Sequence, residues 1–143
     1  MIAYADTGFL VSLYGQDANS AAAISTVQRK PTFILTPLID AEFANAVELR
    51  VFRKQWTREE ARSALNDFML DQGAGVFQIE PFSPEIWQEA LTLSRRHTAA
   101  LGIRTLDLLH VAAVKVLKPD AFFTFDQRQR KLAKAQRLRV APV

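Results

Sequence analysis

No cysteine occurs among the 143 residues. That excludes disulfides, thiolate metal sites and cysteine nucleophiles, and it is compatible with a reducing cytoplasm. Histidine is almost absent as well. Only His97 and His110 are present, so a zinc site built on imidazoles is not expected. No run of about 18 apolar residues exists, so no transmembrane helix is expected. The opening Met1-Ile2-Ala3-Tyr4-Ala5-Asp6 lacks the basic start and apolar stretch of a signal peptide. No G-x-G-x-x-G turn and no G-K-S/T loop appears, which removes the usual dinucleotide and P-loop signatures.

What is present suits one globular domain spanning residues 1–143. Hydrophobic residues make up 49% of the chain, enough to bury a core. The formal net charge of +3 is modest, but its distribution is uneven. Six basic residues and no acidic one lie between Arg128 and Arg139, so the rest of the chain is net acidic. Within that segment Arg128, Arg130, Lys131 and Lys134 are candidate contacts to a phosphate backbone. A solvated helix face is the competing reading.

Short apolar runs alternate with longer helical stretches. Ile2–Ala5, Phe33–Thr36, Val76–Ile79, Ala121–Phe125 and Leu138–Val140 read as strands. A helix is expected from about Asp17 to Lys30, with Asp17 as N-cap. Pro37 opens another, with Phe43, Val47 and Val51 on one apolar face. Thr57-Arg58-Glu59-Glu60 is a capping-box pattern, with Ala61, Leu65, Phe68 and Met69 following at helical spacing. Ser83-Pro84 marks the start of a helix carried on by Trp87, Ala90, Leu91 and Ser94, and Gly102 marks its end. Thr105 caps a run, Leu106 to Leu117, that is apolar nearly all round and therefore buried. This order implies an α/β fold with a mostly parallel sheet covered on both faces.

Four acidic residues stand out by position. Asp6 and Asp126 directly follow strand candidates, at the sheet edge where ligand sites form in open α/β folds. Glu42 and Asp107 lie early in helices that start at that edge. Each has an ordinary alternative as a cap, a turn residue or a surface charge. Asp107 is the least ordinary, because Leu106, Leu108 and Leu109 around it are apolar and a charge there wants a partner. Clustered carboxylates repel by roughly 3 kcal/mol per pair about 5 Å apart at an effective dielectric near 20. A hard divalent cation with oxygen ligands relieves this and can activate water at a phosphodiester.

The local sequences around these acids resemble a known family. Tyr4-Ala5-Asp6-Thr7-Gly8-Phe9-Leu10-Val11 is similar to the first motif of PIN-domain nucleases, and Ala41-Glu42-Phe43-Ala44-Asn45-Ala46 to the second. Gly102 through Ala113, centred on Thr105-Leu106-Asp107-Leu108-Leu109-His110, closely resembles the third. Phe123-Thr124-Phe125-Asp126, followed by a basic helix, resembles the fourth. Order and spacing span the chain, and the single-domain length is most similar to VapC-type toxins of toxin–antitoxin pairs. The family often has Ser or Asn where Gly8 stands, and a larger apolar residue where Ala44 stands.

The resemblance implies a three-layer α/β/α, Rossmann-like fold and Mg²⁺- or Mn²⁺-dependent RNA cleavage by metal-activated water. It also implies a cognate VapB-type antitoxin and a homodimer. Carried over, Asp6, Glu42, Asp107 and Asp126 become the metal-binding and catalytic set. Thr7, Asn45 and Thr124 become candidate hydrogen-bonding supports. A PIN-type nuclease of RNA processing or decay, and a non-catalytic module of the same fold, are the competing functions. A phosphotransfer receiver fits poorly, because only one acid follows the first strand.

Overall fold

The computed structural model describes residues 1–143. Five parallel strands form the sheet: β1 (Ile2–Ala5), β2 (Thr32–Leu35), β3 (Phe77–Ile79), β4 (Ala121–Phe123) and β5 (Val140–Ala141). Their order is β3-β2-β1-β4-β5, and every pairing is parallel. The three inner strands are almost wholly apolar and buried, as strands covered on both faces must be.

The helices divide into two packed groups. Helices α1 (Thr7–Tyr14), α2 (Ser20–Thr26), α3 (Pro37–Phe52) and α4 (Arg58–Gly73) pack together. The second group comprises α5 (Pro84–Leu93), α6 (Ala99–Leu101), α7 (Thr105–Leu117) and α8 (Gln127–Ala135). A π-helical turn at Ser94–Thr98 joins α5 to α6. The first group connects β1, β2 and β3 in one direction across the sheet. The second leads to β4 and β5 on the other side of β1. Between β1 and β4 the winding therefore reverses, and such a switch point opens a crevice at the strand C-termini. No helix is long and apolar enough to cross a membrane.

The sequence rules are visible in the elements. Thr57 and Glu60 form both halves of the capping box. Pro37 and Pro84 open α3 and α5, where a missing N–H costs nothing. Gly102 takes the left-handed conformation at φ 64°, as a helix-ending glycine does. Leu108 to Val114 are all buried in α7. Phe43 and Phe68 stack with centroids 4.0 Å apart, which locks α3 onto α4.

Some expectations change. The helix expected from Asp17 begins at Ser20. Asp17 instead accepts hydrogen bonds from the Asn19 amide and the Ser12 hydroxyl and pairs with Arg50 at 3.2 Å. Met69, at helical spacing in α4, is 64% exposed. The buried face of α4 is Ala61, Ala64 and Phe68. Helix α1 follows Asp6 at once and was not apparent in the sequence. Thr105 is the first residue of α7, and Arg104 occupies the cap position.

Candidate active site

All four acids reach one place. A cavity of about 160 Å³ is lined by Asp6, Thr7, Gly8, Glu42, Asp107, His110, Asp126 and Gln129, with no apolar side chain among them. It sits at the C-terminal ends of β1 and β4, at the switch point. Of the larger cavities, two of about 490 and 720 Å³ lie where β2, β1 and β4 begin, at the opposite edge of the sheet. Neither gathers a comparable polar set.

The backbone explains how the acids arrive. The Asp6 amide donates to the Phe123 carbonyl at 3.0 Å, so the β1–β4 ladder carries Asp6 to the sheet edge. There Asp6 caps α1, accepting from the Phe9 amide through Oδ1 at 2.7 Å. Its Oδ2 accepts from the Thr124 hydroxyl at 2.5 Å. The Thr124 oxygen in turn accepts from the Asp126 amide at 3.0 Å. Asp126 caps α8, with Oδ1 accepting from the Gln129 amide at 2.8 Å. The capping role expected as an alternative for Asp6 and Asp126 is therefore real, and it coexists with membership of the pocket.

Glu42 and Asp107 are held by side chains. The Thr7 hydroxyl donates to Glu42 Oε1 at 3.0 Å, and His110 Nε2 lies 2.5 Å from the same oxygen. Gln129 Nε2 donates to Asp107 Oδ1 at 2.8 Å. Thr7 and Thr124 thus stand where support for the acids was expected. Asn45 does not: it is exposed on α3, and Thr7 and His110 supply the hydrogen bonds to Glu42. Gln129, buried in the first turn of α8, was missed by sequence reasoning. Its signal in the sequence is weak, a single amide set among Arg128, Arg130 and Lys131. His110 lay one turn after Asp107, and that spacing was the signal available for it.

The basic segment divides as well. Arg128, Lys131 and Lys134 are exposed along α8. Arg130 is engaged inside the protein, donating to the Thr124 carbonyl at 2.8 Å and the Pro142 carbonyl at 2.6 Å.

The electrostatics of the acids differ. Burial raises the Asp6 carboxyl above the ordinary value; the His110 charge and the bonds from Thr124 and Phe9 only partly offset this, and the Asp126 charge adds to it. Asp107 is raised by burial and then by Asp126, with a further push from Glu42. Glu42 is lowered: burial pushes it up, but the hydrogen bond and charge of His110 and the bond from Thr7 together outweigh that. Two carboxyls thus resist ionisation, while one is ionised with ease.

This donor set suits a hard divalent cation. It offers oxygen donors and excess negative charge, without sulfur. In Glu42, Asp107 and Asp126 the protein's hydrogen bonds fall on one carboxylate oxygen, which leaves the second available. As the side chains stand, no three acidic or histidine groups are close enough to ligate one ion together. The acids share a pocket without forming a closed cage.

The family model for the PIN domain matches residues 3–135. No curated protein matches the chain by sequence. Among solved structures, the chain is similar to VapBC2 from Rickettsia felis, bound to a DNA fragment from its promoter. That similarity has 18% identity and a TM-score of 0.66, over 99% of this chain and 98% of the other. FitAcB from Neisseria gonorrhoeae gives 17% identity and a TM-score of 0.69, over 99% and 97%. VapC20 from Mycobacterium tuberculosis, described as a toxin cleaving the sarcin–ricin loop, gives 18% identity and a TM-score of 0.68, over 90% and 93%. At such identities the likeness is one of fold.

Proposed function

The chain belongs to the PIN-domain family, and from that premise we propose that it is a divalent-metal-dependent ribonuclease, the toxin of a VapBC-type toxin–antitoxin pair, acting as one domain over residues 1–143. The observation that carries this reading is the convergence of Asp6, Glu42, Asp107 and Asp126 on one polar cavity at the switch point. Family membership supports nuclease chemistry. VapC20, described as a toxin cleaving the sarcin–ricin loop, favours RNA as substrate, and the likeness to VapBC2 favours a small antitoxin as partner. A homodimer and a cytoplasmic location belong to the same proposal.

In this reading Glu42, Asp107 and Asp126 offer free oxygens to Mg²⁺ or Mn²⁺, and Asp6 completes the negative field from its buried position. A bound divalent ion supplies an activated water and stabilises charge developing on the phosphodiester. The protein's own part is positioning. Thr124 ties Asp6 to the Asp126 backbone, Gln129 ties Asp107 to the Asp126 cap, and Thr7 with His110 holds Glu42. Arg128, Lys131 and Lys134 would meet the RNA backbone.

The test is cleavage of total RNA by purified protein. Activity should require Mg²⁺ or Mn²⁺, stop with EDTA, and vanish in Asp107→Asn with the fold intact by circular dichroism. Equal cleavage by Asp107→Asn, or activity that survives thorough chelation, would overturn the assignment.

A further inference from the structure

Two buried polar residues of the core have partners that lead into the acidic cavity. Tyr4 is fully buried and His110 is 2% exposed. The Tyr4 hydroxyl lies 2.8 Å from His110 Nδ1, and His110 Nε2 lies 2.5 Å from Glu42 Oε1. A hydrogen-bonded chain therefore runs from β1 through α7 to α3. It begins in the middle of the core and ends at the cavity wall.

Proton inventory fixes its end at Glu42. An ionised carboxylate only accepts, so His110 Nε2 must carry a proton. On a neutral ring Nδ1 accepts from the Tyr4 hydroxyl, and on a charged ring it donates to the phenol oxygen; in both cases the phenol holds the ring in place. Thr7 and His110 both donate to Oε1 of Glu42. Oε2 takes no hydrogen bond from the protein. One oxygen is pinned twice and the other is left for a ligand.

Periodicity places these residues beside the acids. Asp6 lies two residues after Tyr4, in extended backbone directly beyond the end of β1, so the two are on the same side. Asp107 and His110 lie three apart on α7, on the same helical face. Packing alone does not need the Tyr4 hydroxyl. The ring packs edge-on to Phe122 with centroids 5.9 Å apart, a contact that phenylalanine would keep.

We infer that Tyr4 and His110 are positioning residues for Glu42: the phenol fixes the rotation of the imidazole, and the imidazole pins Oε1 so that Oε2 is presented to a divalent cation. The inference rests on the functional reading above and adds to it Tyr4, a residue buried behind His110 and away from the cavity.

The experiment uses the full chain, with Mn²⁺ alone as probe. Affinity is read by titration calorimetry, and the His110 ring by ¹⁵N NMR. In the wild type Nε2 of the ring should be protonated. Tyr4→Phe should weaken Mn²⁺ binding about tenfold, the scale of losing a partner behind a ligand. Its imidazole resonances should shift or broaden while circular dichroism stays unchanged. His110→Gln, whose amide can still donate to Glu42, should bind Mn²⁺ better than His110→Leu. A folded Tyr4→Phe that binds Mn²⁺ within twofold of wild type would overturn the inference. Should Tyr4→Phe fail to fold, equal affinities in His110→Gln and His110→Leu would overturn it instead. A wild type that binds Mn²⁺ but leaves RNA intact sinks the nuclease reading alone. A wild type that binds no Mn²⁺ overturns both.

Discussion

Neutralising Asp6 should make the metal-free protein more stable. Asp6 is 4% exposed, its carboxyl is raised by burial, and Asp126 raises it further. Two unit charges about 6 Å apart repel by roughly 3 kcal/mol at an effective dielectric near 20. Asp6→Asn removes that repulsion together with the larger cost of burying the charge, and the attraction to His110 that is lost with them is smaller than that burial cost. Against it, the bonds from the Phe9 amide and the Thr124 hydroxyl lose their charge assistance, about 1 kcal/mol each. Asparagine still caps a helix well, so the geometry survives. The balance is a gain of at least about 1 kcal/mol, or about 4 °C in Tm for a domain of this size. The sign depends on pH. A carboxyl whose folded-state pKa is raised costs stability above that pKa, and the cost disappears below the ordinary carboxylate value. The gain should therefore be present at pH 7 and fade in acid. Magnesium should reverse the order: at a hundredfold excess over Kd a bound ion adds about 2.7 kcal/mol to the wild type, and the variant should gain less. Scanning calorimetry at pH 7 and in acid, with EDTA or Mg²⁺, checks all three. An Asp6→Asn protein that melts at or below wild type in EDTA at pH 7 would refute the reasoning.

Glu42→Gln should have the opposite sign. Its folded-state pKa is lowered, so its contribution is present above the ordinary glutamate value and lost as pH falls through the lowered one. Because Glu42 is partly exposed, the metal-free loss at pH 7 should stay below about 1 kcal/mol; a stabilised Glu42→Gln in calorimetry would contradict it. Gly15→Ala tests the packing: a Cβ there would lie 2.2 Å from the Trp56 ring, which is held by its indole N–H bond to the Gln16 carbonyl and by Arg50 over its face. We expect a loss of about 1–3 kcal/mol in urea titration and a shifted tryptophan emission; unchanged stability would show that the ring yields freely.

Much of the fold was legible because buried parallel strands and amphipathic helices write different periods. Pro37, Pro84, Gly102 and the Thr57–Glu60 box fixed boundaries locally. Helix α1 was not legible. It has only eight residues, starts with no loop after β1 and carries Gly8 in its first turn, which lowers its propensity. The π-helical turn at Ser94–Thr98 has no signal in Arg95-Arg96-His97 either. In the site, the acids were legible from their place after strands and the words around them. Their supports were less so. Asn45 has the right spacing to Glu42, but the cavity lies on the other side, where α1 and α7 bring Thr7 and His110. Gln129 is one polar residue in a charged helix, and only the approach of α7 gives its amide a partner.

The capping readings and the site readings of the acids turn out to be compatible, and magnitudes decide what the caps accomplish. Asp6 and Asp126 cap α1 and α8, and Asp107 lies in the first turn of α7. Three helix N-termini therefore direct their positive ends at the cavity. Each such placement stabilises a carboxylate by about 0.3–1 kcal/mol. One close pair of carboxylates costs about 3 kcal/mol, and the cavity holds four acids with His110 as the one neighbouring base. The helix ends thus fix one oxygen each of Asp6 and Asp126, but they do not balance the charge. The carboxyls of Asp6 and Asp107 are raised first by burial, and the neighbouring carboxylates add to it in the metal-free fold. A divalent cation is the species whose charge and oxygen preference match this set of acids, and for that reason the stability of this protein should respond to Mg²⁺ before any RNA is added.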